Sequence, residues 1–151
     1  MPLLGIALLL TLIDQMIKQA IKGNPVGDVI FCCPSLFELV HTVNQGAAMS
    51  MFSEHGRLLF LATSGMLVFL AGIICFYPGI TNAARWSLCV LLGGGVGNWI
   101  DRLFGNGVTD YIRLLFIRFP VFNFADICIS LSVTLLMILL LLNRLEQKVD
   151  Q

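Results

Sequence analysis

Four long apolar segments follow one another along this chain, and most of its polar residues lie between them. The segments run roughly over residues 3–21, 58–77, 84–103 and 122–142. About 20 helical residues cross the roughly 30 Å hydrocarbon core of a bilayer, and continuous stretches of this length satisfy their backbone in lipid as helices. The pattern therefore predicts an all-α membrane protein with four transmembrane helices.

The connections between these segments differ in length. Residues 22–57 form a long loop, residues 78–83 a tight turn, and residues 104–121 a loop of intermediate length. With four spans, both termini lie on one side of the membrane and the two longer loops lie together on the other. Residues 36–44 mix β-branched, aromatic and polar side chains, which is typical of a short strand. We expect a single domain over residues 1–151, with a small β element against the membrane surface.

Composition supports a membrane protein and excludes one class of partner. The chain is 58% hydrophobic and 12% charged, whereas soluble domains average about 25% charged residues. Nine basic residues balance nine acidic ones, and no basic run is present that would neutralise phosphates, so we expect no nucleic-acid binding. The first apolar segment contains Asp14 and Lys18 and lacks a basic start and a small-residue cleavage site. It is therefore expected to be a retained helix, not a signal peptide.

Charges in the loops bear on orientation, because basic residues favour the cytoplasmic side. The terminal face would carry Arg85, Arg144 and Lys148, and the opposite face Lys22, Arg57, Arg102, Arg113 and Arg118. This count argues against a cytoplasmic N-terminus.

The five cysteines are expected to be structural. Three lie in apolar segments, where a thiol behaves as a small hydrophobe, and two are adjacent, so they do not bridge each other without strain. No metal-type spacing occurs among Cys32, Cys33, Cys75, Cys89 and Cys128. A cysteine nucleophile would need a base, and His41, in the same loop as Cys32, is the weak alternative.

Ionisable residues inside apolar segments are costly and indicate function. Asp14 and Lys18 are spaced i, i+4 on the first segment and share a helix face. One interpretation is an ion pair that makes the helix tolerable in lipid. In the other, Asp14 also braces the loops above it.

The third segment contains the stretch GGGVGNWIDRL. Gly93 and Gly97 form a G-x-x-x-G pair that lets another helix approach closely. Asn98, Asp101 and Arg102 follow on one face at i, i+3 and i+4. They are explained either by a structural Asp101–Arg102 bridge or by a role in organising a site.

Two further acids stand near helix ends. Asp110 lies in GVTDYIRL after the third segment, and Asp126 lies in FNFADI with Asn123 one turn before it. The structural alternative for Asp110 is a polar residue in a turn, and that for Asp126 is a helix N-cap. Two carboxyls within about 3 Å share one proton, so one activates a water and the other polarises a carbonyl. Such chemistry requires no metal or cofactor.

Other chemistries find weaker support. The chain has no H-E-x-x-H zinc helix and no G-x-S-x-G elbow. A small channel or transporter is the main rival, with Asp14, Asp101 and Asp126 forming a proton or cation path. Polar residues that cluster towards one end of the helices disfavour a path through the mid-membrane.

Five motifs occur in order through nearly the whole chain: DQMIK at 14–18, NQGAAMS at 44–50, GGGVGNWIDR at 93–102, VTDY at 108–111 and FNFAD at 122–126. Together they resemble the lipoprotein signal peptidases (type II signal peptidases), a family of bacterial inner-membrane enzymes. The resemblance implies four transmembrane helices, a small periplasmic β-cradle and a short extra-membrane helix. It also implies that Asp110 and Asp126 are the catalytic aspartates.

The resemblance further implies a set of residues that support or line the site: Asp14, Lys18, Asn44, Gly46, Asn98, Asp101, Arg102, Asn123 and Ala125. The implied substrate is a prolipoprotein whose lipobox cysteine carries a diacylglyceryl thioether, cleaved on the amino side of that cysteine. Membrane lipid is the other implied partner, and we expect a monomer without cofactors. A non-catalytic scaffold for lipoproteins is a third alternative.

The resemblance also implies that both termini are cytoplasmic and that the site faces the periplasm, against the charge count. A short N-terminus with almost no basic residues accounts for that count. Two positions depart from the family pattern: Met49 replaces a usual Phe, and Ile17 a usual Ser or Thr. Since Met is a flexible apolar substitute, we expect altered packing and retained activity.

Overall fold

The computed structural model describes residues 2–46, 56–105 and 107–149 of the chain. These residues form four helices and three strands. In chain order they are α1 (Pro2–Lys22), β1 (Val29–Cys33), β2 (Phe37–Asn44), α2 (Gly56–Phe76), α3 (Asn82–Phe104), β3 (Val108–Leu114) and α4 (Phe124–Val149).

The four predicted helices are confirmed, but only three of them qualify as membrane spans by length and composition. These are α1, α2 and α4. Helix α3 contains Arg85, the glycine run, Asp101 and Arg102, so it is less apolar than the others. The all-α prediction is also too narrow, because strands β1, β2 and β3 make the fold mixed.

Helix α3 lies at the centre of the bundle, and its glycines allow each neighbour to approach. A Cβ atom on Gly93 would lie 2.8 Å from a backbone oxygen of α1. On Gly94 it would lie 2.7 Å from a backbone oxygen of α4, and on Gly95 2.7 Å from a leucine side chain of α2. Each of the three consecutive glycines therefore faces a different helix, which extends the predicted G-x-x-x-G contact to all three neighbours.

Helix α1 carries its polar residues inward and its leucines outward. The buried positions recur every three or four residues and include Thr11, Asp14 and Lys18. Leu8 and Met16 lie on the outward face and are exposed. Polar groups of a membrane helix must bind partners on other helices, whereas leucine side chains contact lipid without cost. This arrangement is therefore suited to a membrane span.

The three strands form one antiparallel sheet in the order β1-β2-β3. The strand predicted over residues 36–44 is confirmed as β2, whereas sequence periodicity did not predict β1 or β3. Thr42 pairs with Asp110 and Asn44 with Val108, with an irregularity in β2 between Leu39 and Thr42. The sheet lies at the end of the bundle where α1 and α3 end and α2 and α4 begin, so it holds Asp110 over the helix ends.

Three further expectations concern Met49, the short extra-membrane helix and Ile17. Met49 lies outside the described residues, together with most of the NQGAAMS motif. Across residues 2–46, 56–105 and 107–149, none of the helices corresponds to the short extra-membrane helix implied by the resemblance. Ile17 is described and is partly buried on α1.

Replacing Gly94 with Ala should destabilise the protein. The new Cβ would meet the backbone oxygen of Ala125 at 2.7 Å, and overpacking of this kind typically costs about 1–3 kcal/mol. The matched control is Gly72→Ala on α2, where a Cβ meets no atom within 4 Å. Thermal unfolding in one detergent should show a lower melting temperature for Gly94→Ala alone. Equal melting temperatures for the two variants would contradict the central packing of α3.

Candidate active site

A cavity of about 530 Å³ opens where the sheet meets the ends of α3 and α4. Its polar wall contains Asn44, Asn98, Arg102, Asp110 and Asp126. The remaining wall is mostly apolar and comes from residues 119–122 and the first two turns of α4. A cavity of this size, with convergent polar groups at one end, has the character of a ligand site.

Asp126 is held by a reciprocal cap at the start of α4. The Asn123 side-chain oxygen accepts a hydrogen bond from the Asp126 backbone N–H at 3.0 Å. The Asp126 carboxylate in turn accepts one from the Asn123 backbone N–H at 3.1 Å. The N-cap is therefore Asn123, and the N-cap role considered for Asp126 is wrong. The N-x-x-D spacing of the sequence, a variant of the capping box, carried this signal.

Two more side chains satisfy the remaining N–H groups of the first turn of α4. The Phe124 N–H donates to the Tyr111 hydroxyl oxygen at 3.1 Å, and the Ala125 N–H donates to the Asp14 carboxylate at 3.1 Å. Burial raises the pKa of Tyr111 to about 12, so the phenol stays neutral. Side chains of α1, β3 and the cap thus fix the start of α4, and use its first three N–H donors.

Asp110 reaches the same residue from the sheet. One of its carboxyl oxygens accepts a hydrogen bond from the Asn123 side-chain amide at 2.7 Å. The other accepts one from the Asn44 amide at 3.0 Å. Asn123 therefore donates its side chain to Asp110 and its backbone N–H to Asp126. The structure brings the two predicted carboxyls together on one asparagine.

The surroundings of Asp110 favour its protonated form. Burial is the largest cause and raises the pKa of Asp110 from 3.8 to about 6. The neighbouring negative charge of Asp126 acts in the same direction, whereas the hydrogen bonds from Asn44 and Asn123 lower this pKa. A carboxyl with a raised pKa beside a second carboxyl is suited to share a proton with it close to neutral pH.

Asn98 links the second carboxyl to a buried lysine. Its side-chain oxygen accepts a hydrogen bond from Lys18 Nζ at 2.8 Å, so its amide nitrogen must point the other way. That nitrogen donates to Asp126 at 2.8 Å. The ammonium group of Lys18 therefore determines which end of Asn98 faces the cavity.

Lys18 is fully buried and all three of its N–H donors find acceptors. Nζ lies 2.8 Å from Asp14, 3.0 Å from Asp101 and 2.8 Å from Asn98. Lys22 Nζ, which is partly exposed, lies 2.7 Å from the other oxygen of Asp101. Two lysines thus balance two aspartates.

These contacts settle two structural alternatives. The predicted Asp14–Lys18 ion pair is confirmed, and Asp14 also braces α4. The alternative of an Asp101–Arg102 bridge is wrong, because Asp101 pairs with the two lysines of α1 and accepts the Thr109 N–H at 3.1 Å.

The remaining predicted residues lie around this network. Arg102 donates to the backbone oxygens of Asn98 and Gly46, each at 3.3 Å, and its guanidinium lines the cavity. The Gly46 N–H donates a hydrogen bond to the Asn44 side-chain oxygen at 3.0 Å. Ala125 is fully buried where α4 meets α1 and α3.

Sequence reasoning missed three contributors, Lys22, Thr109 and Tyr111. Thr109 and Tyr111 flank Asp110 in a strand, so alternation would have placed both on the face opposite the carboxyl once β3 was recognised. The cysteine-nucleophile alternative is wrong: His41 is buried with Nδ1 2.7 Å from the Asn24 backbone oxygen, while Cys32 is exposed. All five cysteines are free thiols.

The protein is a helical membrane bundle in which one asparagine binds two carboxyls at the edge of a cavity. This arrangement defines the class of an aspartic-type membrane site. Comparisons with known proteins agree. The family description "Signal peptidase (SPase) II" matches residues 6–142. The lipoprotein signal peptidase of Desulfitobacterium hafniense is 38% identical over 91% of this chain and 92% of its own length. That of Streptococcus pneumoniae is 34% identical over 90% of each.

Solved structures agree as well. A bacterial membrane enzyme solved at 2.3 Å resolution superimposes with a TM-score of 0.88 and 27% identity, covering 95% of this chain and 89% of its own. A second, at 1.9 Å, gives a TM-score of 0.82 with 28% identity over 93% and 92%. The chain belongs to the lipoprotein signal peptidase family, whose members are aspartic-type peptidases.

Removing the Lys18 ammonium should unfold much of the site. In Lys18→Met, the buried carboxylate of Asp14 loses its cation, and breaking a buried pair typically costs about 3–5 kcal/mol. The double variant Lys18→Met/Asp14→Asn should recover part of that loss. In the comparison variant Lys22→Met, Asp101 keeps Lys18 at 3.0 Å and the lost ammonium is 34% exposed, so the loss should be smaller than in Lys18→Met. Thermal unfolding of the four proteins measures this, and equal losses for the two lysine variants would contradict the network.

Proposed function

We propose that this peptidase removes the signal peptide from diacylglyceryl-modified prolipoproteins, cleaving on the amino side of the lipidated cysteine. Membership of the lipoprotein signal peptidase family supports prolipoproteins as the substrate class. A site at the helix ends suits such a substrate. Its acyl chains and signal helix can remain in hydrocarbon while the scissile bond enters the cavity.

The observation that carries the proposed mechanism is the meeting of Asp110 and Asp126 on Asn123. We assign one proton to this pair. The ionised carboxylate takes a proton from a water as its oxygen attacks the scissile carbonyl carbon. The protonated carboxyl donates to the carbonyl oxygen and stabilises the developing charge. The C–N bond then breaks as the carboxyl that took the water proton passes it to the leaving nitrogen. The other aspartate regains its proton from the tetrahedral intermediate, and a free cysteine amine and a signal-peptide carboxylic acid result.

The other residues act through position. Asn98 and Asn123 hold Asp126 by two hydrogen bonds, and Asn44 and Asn123 hold Asp110. Amide donors satisfy one lone pair of each carboxyl oxygen and leave the other free for a proton or a water. We assign to Arg102, at the cavity wall, a role in binding the substrate backbone.

We also propose that α3 is the fourth span, that both termini are cytoplasmic and that the site faces the periplasm. Candidate spans α1, α2 and α4 pack on three sides of α3, so its composition need not match that of a lipid-facing helix. The sheet and cavity lie at the end of the bundle opposite the start of α1 and the end of α4. The family resemblance supports a periplasmic position for that end.

The distribution of polar groups supports a peptidase over a channel or transporter. The network extends from the cavity to Thr11, whose hydroxyl donates to the Gly93 backbone oxygen at 2.9 Å. Beyond that point, residues 3–10 of α1 and 135–142 of α4 contain no polar side chain. A continuous ion path would need polar groups there.

Either Asp110→Asn or Asp126→Asn should abolish cleavage. The amide cannot exchange the shared proton, and loss of general acid–base catalysis should reduce the rate by about a thousandfold or more. Cleavage of a diacylglyceryl lipopeptide by purified protein in detergent measures the effect, with melting temperature as a folding check. The control is Asp28→Asn, an exposed acid in the loop before β1, which should remain active. Full cleavage by either site variant would refute the mechanism.

The pH dependence should follow the carboxyl pair. With the pKa of Asp110 at about 6, the pair loses its shared proton as pH rises through this value. Hence kcat/KM should fall at higher pH, with a midpoint near 6 and not near 3.8. Asn44 lowers the pKa of Asp110 by its hydrogen bond, so Asn44→Ala should move this midpoint to higher pH.

The control for that shift is Asn24→Ala, whose side chain donates only to backbone oxygens at the end of α1. It should leave the midpoint unchanged. A midpoint that stays in place or moves to lower pH in Asn44→Ala would contradict the assignment of Asp110 to the pair.

A further inference from the structure

The end of the sheet that points away from α3 consists of two joined segments. Residues 31–37 include the turn between β1 and β2, and residues 114–119 follow from the end of β3; we call these segments the sheet tip. The Leu115 N–H donates to the Leu36 backbone oxygen at 3.0 Å. The two segments therefore present one surface.

Large apolar side chains cover the sheet tip and stay exposed within the part of the chain that the structure describes. Their exposed fractions range from 41% to 63%. They are Phe31, Leu36, Leu115, Phe116, Ile117 and Phe119. Soluble monomers rarely expose contiguous apolar patches of this kind without a partner, so this surface requires an apolar partner.

The sheet tip contains almost no charged residues, although charged residues lie next to it. The stretches 29–37 and 114–122 together contain a single charged side chain, Arg118. Just outside them, Glu38 and Arg113 pair at 2.6 Å on neighbouring strands. Phenylalanine and leucine beside an isolated arginine, with no acid among them, is a composition typical of segments that lie in a membrane interface.

The tip continues a surface that belongs to a membrane span. Phe119 forms part of the tip and also lines the active-site cavity, whose facing wall is α4. On α4, Leu131 lines the same cavity and is 66% exposed. The apolar surface therefore runs from the outside of a candidate span, across the cavity edge, to the tip.

We propose that the sheet tip is immersed in the bilayer leaflet beside the active site, and that lipid is the partner of this surface. Arg118 then reaches the phosphate head groups. Asp110 lies four residues before Leu114 on β3, about 13 Å away at the rise of a strand. The immersed tip thereby sets the depth of Asp110 relative to the membrane. This proposal rests on the apolar surface and does not depend on the peptidase activity.

Nitroxide accessibility tests this proposal on the full chain. Replacing the native cysteines with Ala breaks no disulfide, because all five are free. On that background, Phe116→Cys or Leu36→Cys carries a single nitroxide in vesicles of phosphatidylethanolamine and phosphatidylglycerol. Controls are Phe69→Cys, at an exposed position of candidate span α2, and Asp28→Cys, in the loop before β1. Power saturation compares collisions with oxygen, which dissolves in lipid, and with a water-soluble nickel chelate.

The ratio of oxygen to nickel accessibility at residues 36 and 116 should equal that at Phe69. It should exceed the ratio at Asp28 about tenfold, because the hydrocarbon core excludes water and the chelate with it. High nickel accessibility at both tip positions would show a surface in water and overturn the proposal. Low accessibility to both reagents would show a tip covered by protein, such as a second copy of the chain, and would overturn it equally.

Discussion

A lysine ammonium buried in a helix bundle must find an acceptor for every N–H, because water is absent and an unpaired charge is prohibitively costly. Lys18 meets this constraint with Asp14, Asp101 and Asn98. Two of these acceptors come from α3, so α1 and α3 can pack in only one register. The glycines of α3 permit the close approach that this register requires, since a Cβ on Gly97 would collide with the Asp14 carboxylate.

The same constraint extends to the carboxyl pair. Asn98 offers its oxygen to Lys18 and so must turn its amide towards Asp126. Asp14, held by Lys18, caps α4 beside the Asn123 cap and fixes the helix that carries Asp126. A charge pair buried between helices thus positions a group at the edge of the cavity. Positioning by locked hydrogen bonds is what general acid–base chemistry requires of its carboxyls.

Much of this protein was predictable from local patterns. Hydrophobic runs of membrane length located the helix ends within two residues, except that α4 continues seven residues beyond its predicted end. The mixture of β-branched, aromatic and polar residues located β2. Strands β1 and β3 escaped prediction because VIFCC and VTDYIRL lack clear alternation and acquire strand structure by pairing with β2. Helix α3 was predicted as a span from its length, yet its composition reflects its central position, where it faces helices in place of lipid.

The sequence by itself determined the helix periodicity, the membrane class and, through five ordered motifs, the family. Only the tertiary structure decided which charges pair and where the carboxyls meet. Asp101 and Arg102 are adjacent in sequence, but successive residues of a helix point about 100° apart, so Asp101 faces α1 and Arg102 the cavity. Asp110 and Asp126 meet because the sheet edge packs over the capped end of α4. Such a long-range contact depends on packing between elements, which no local spacing encodes.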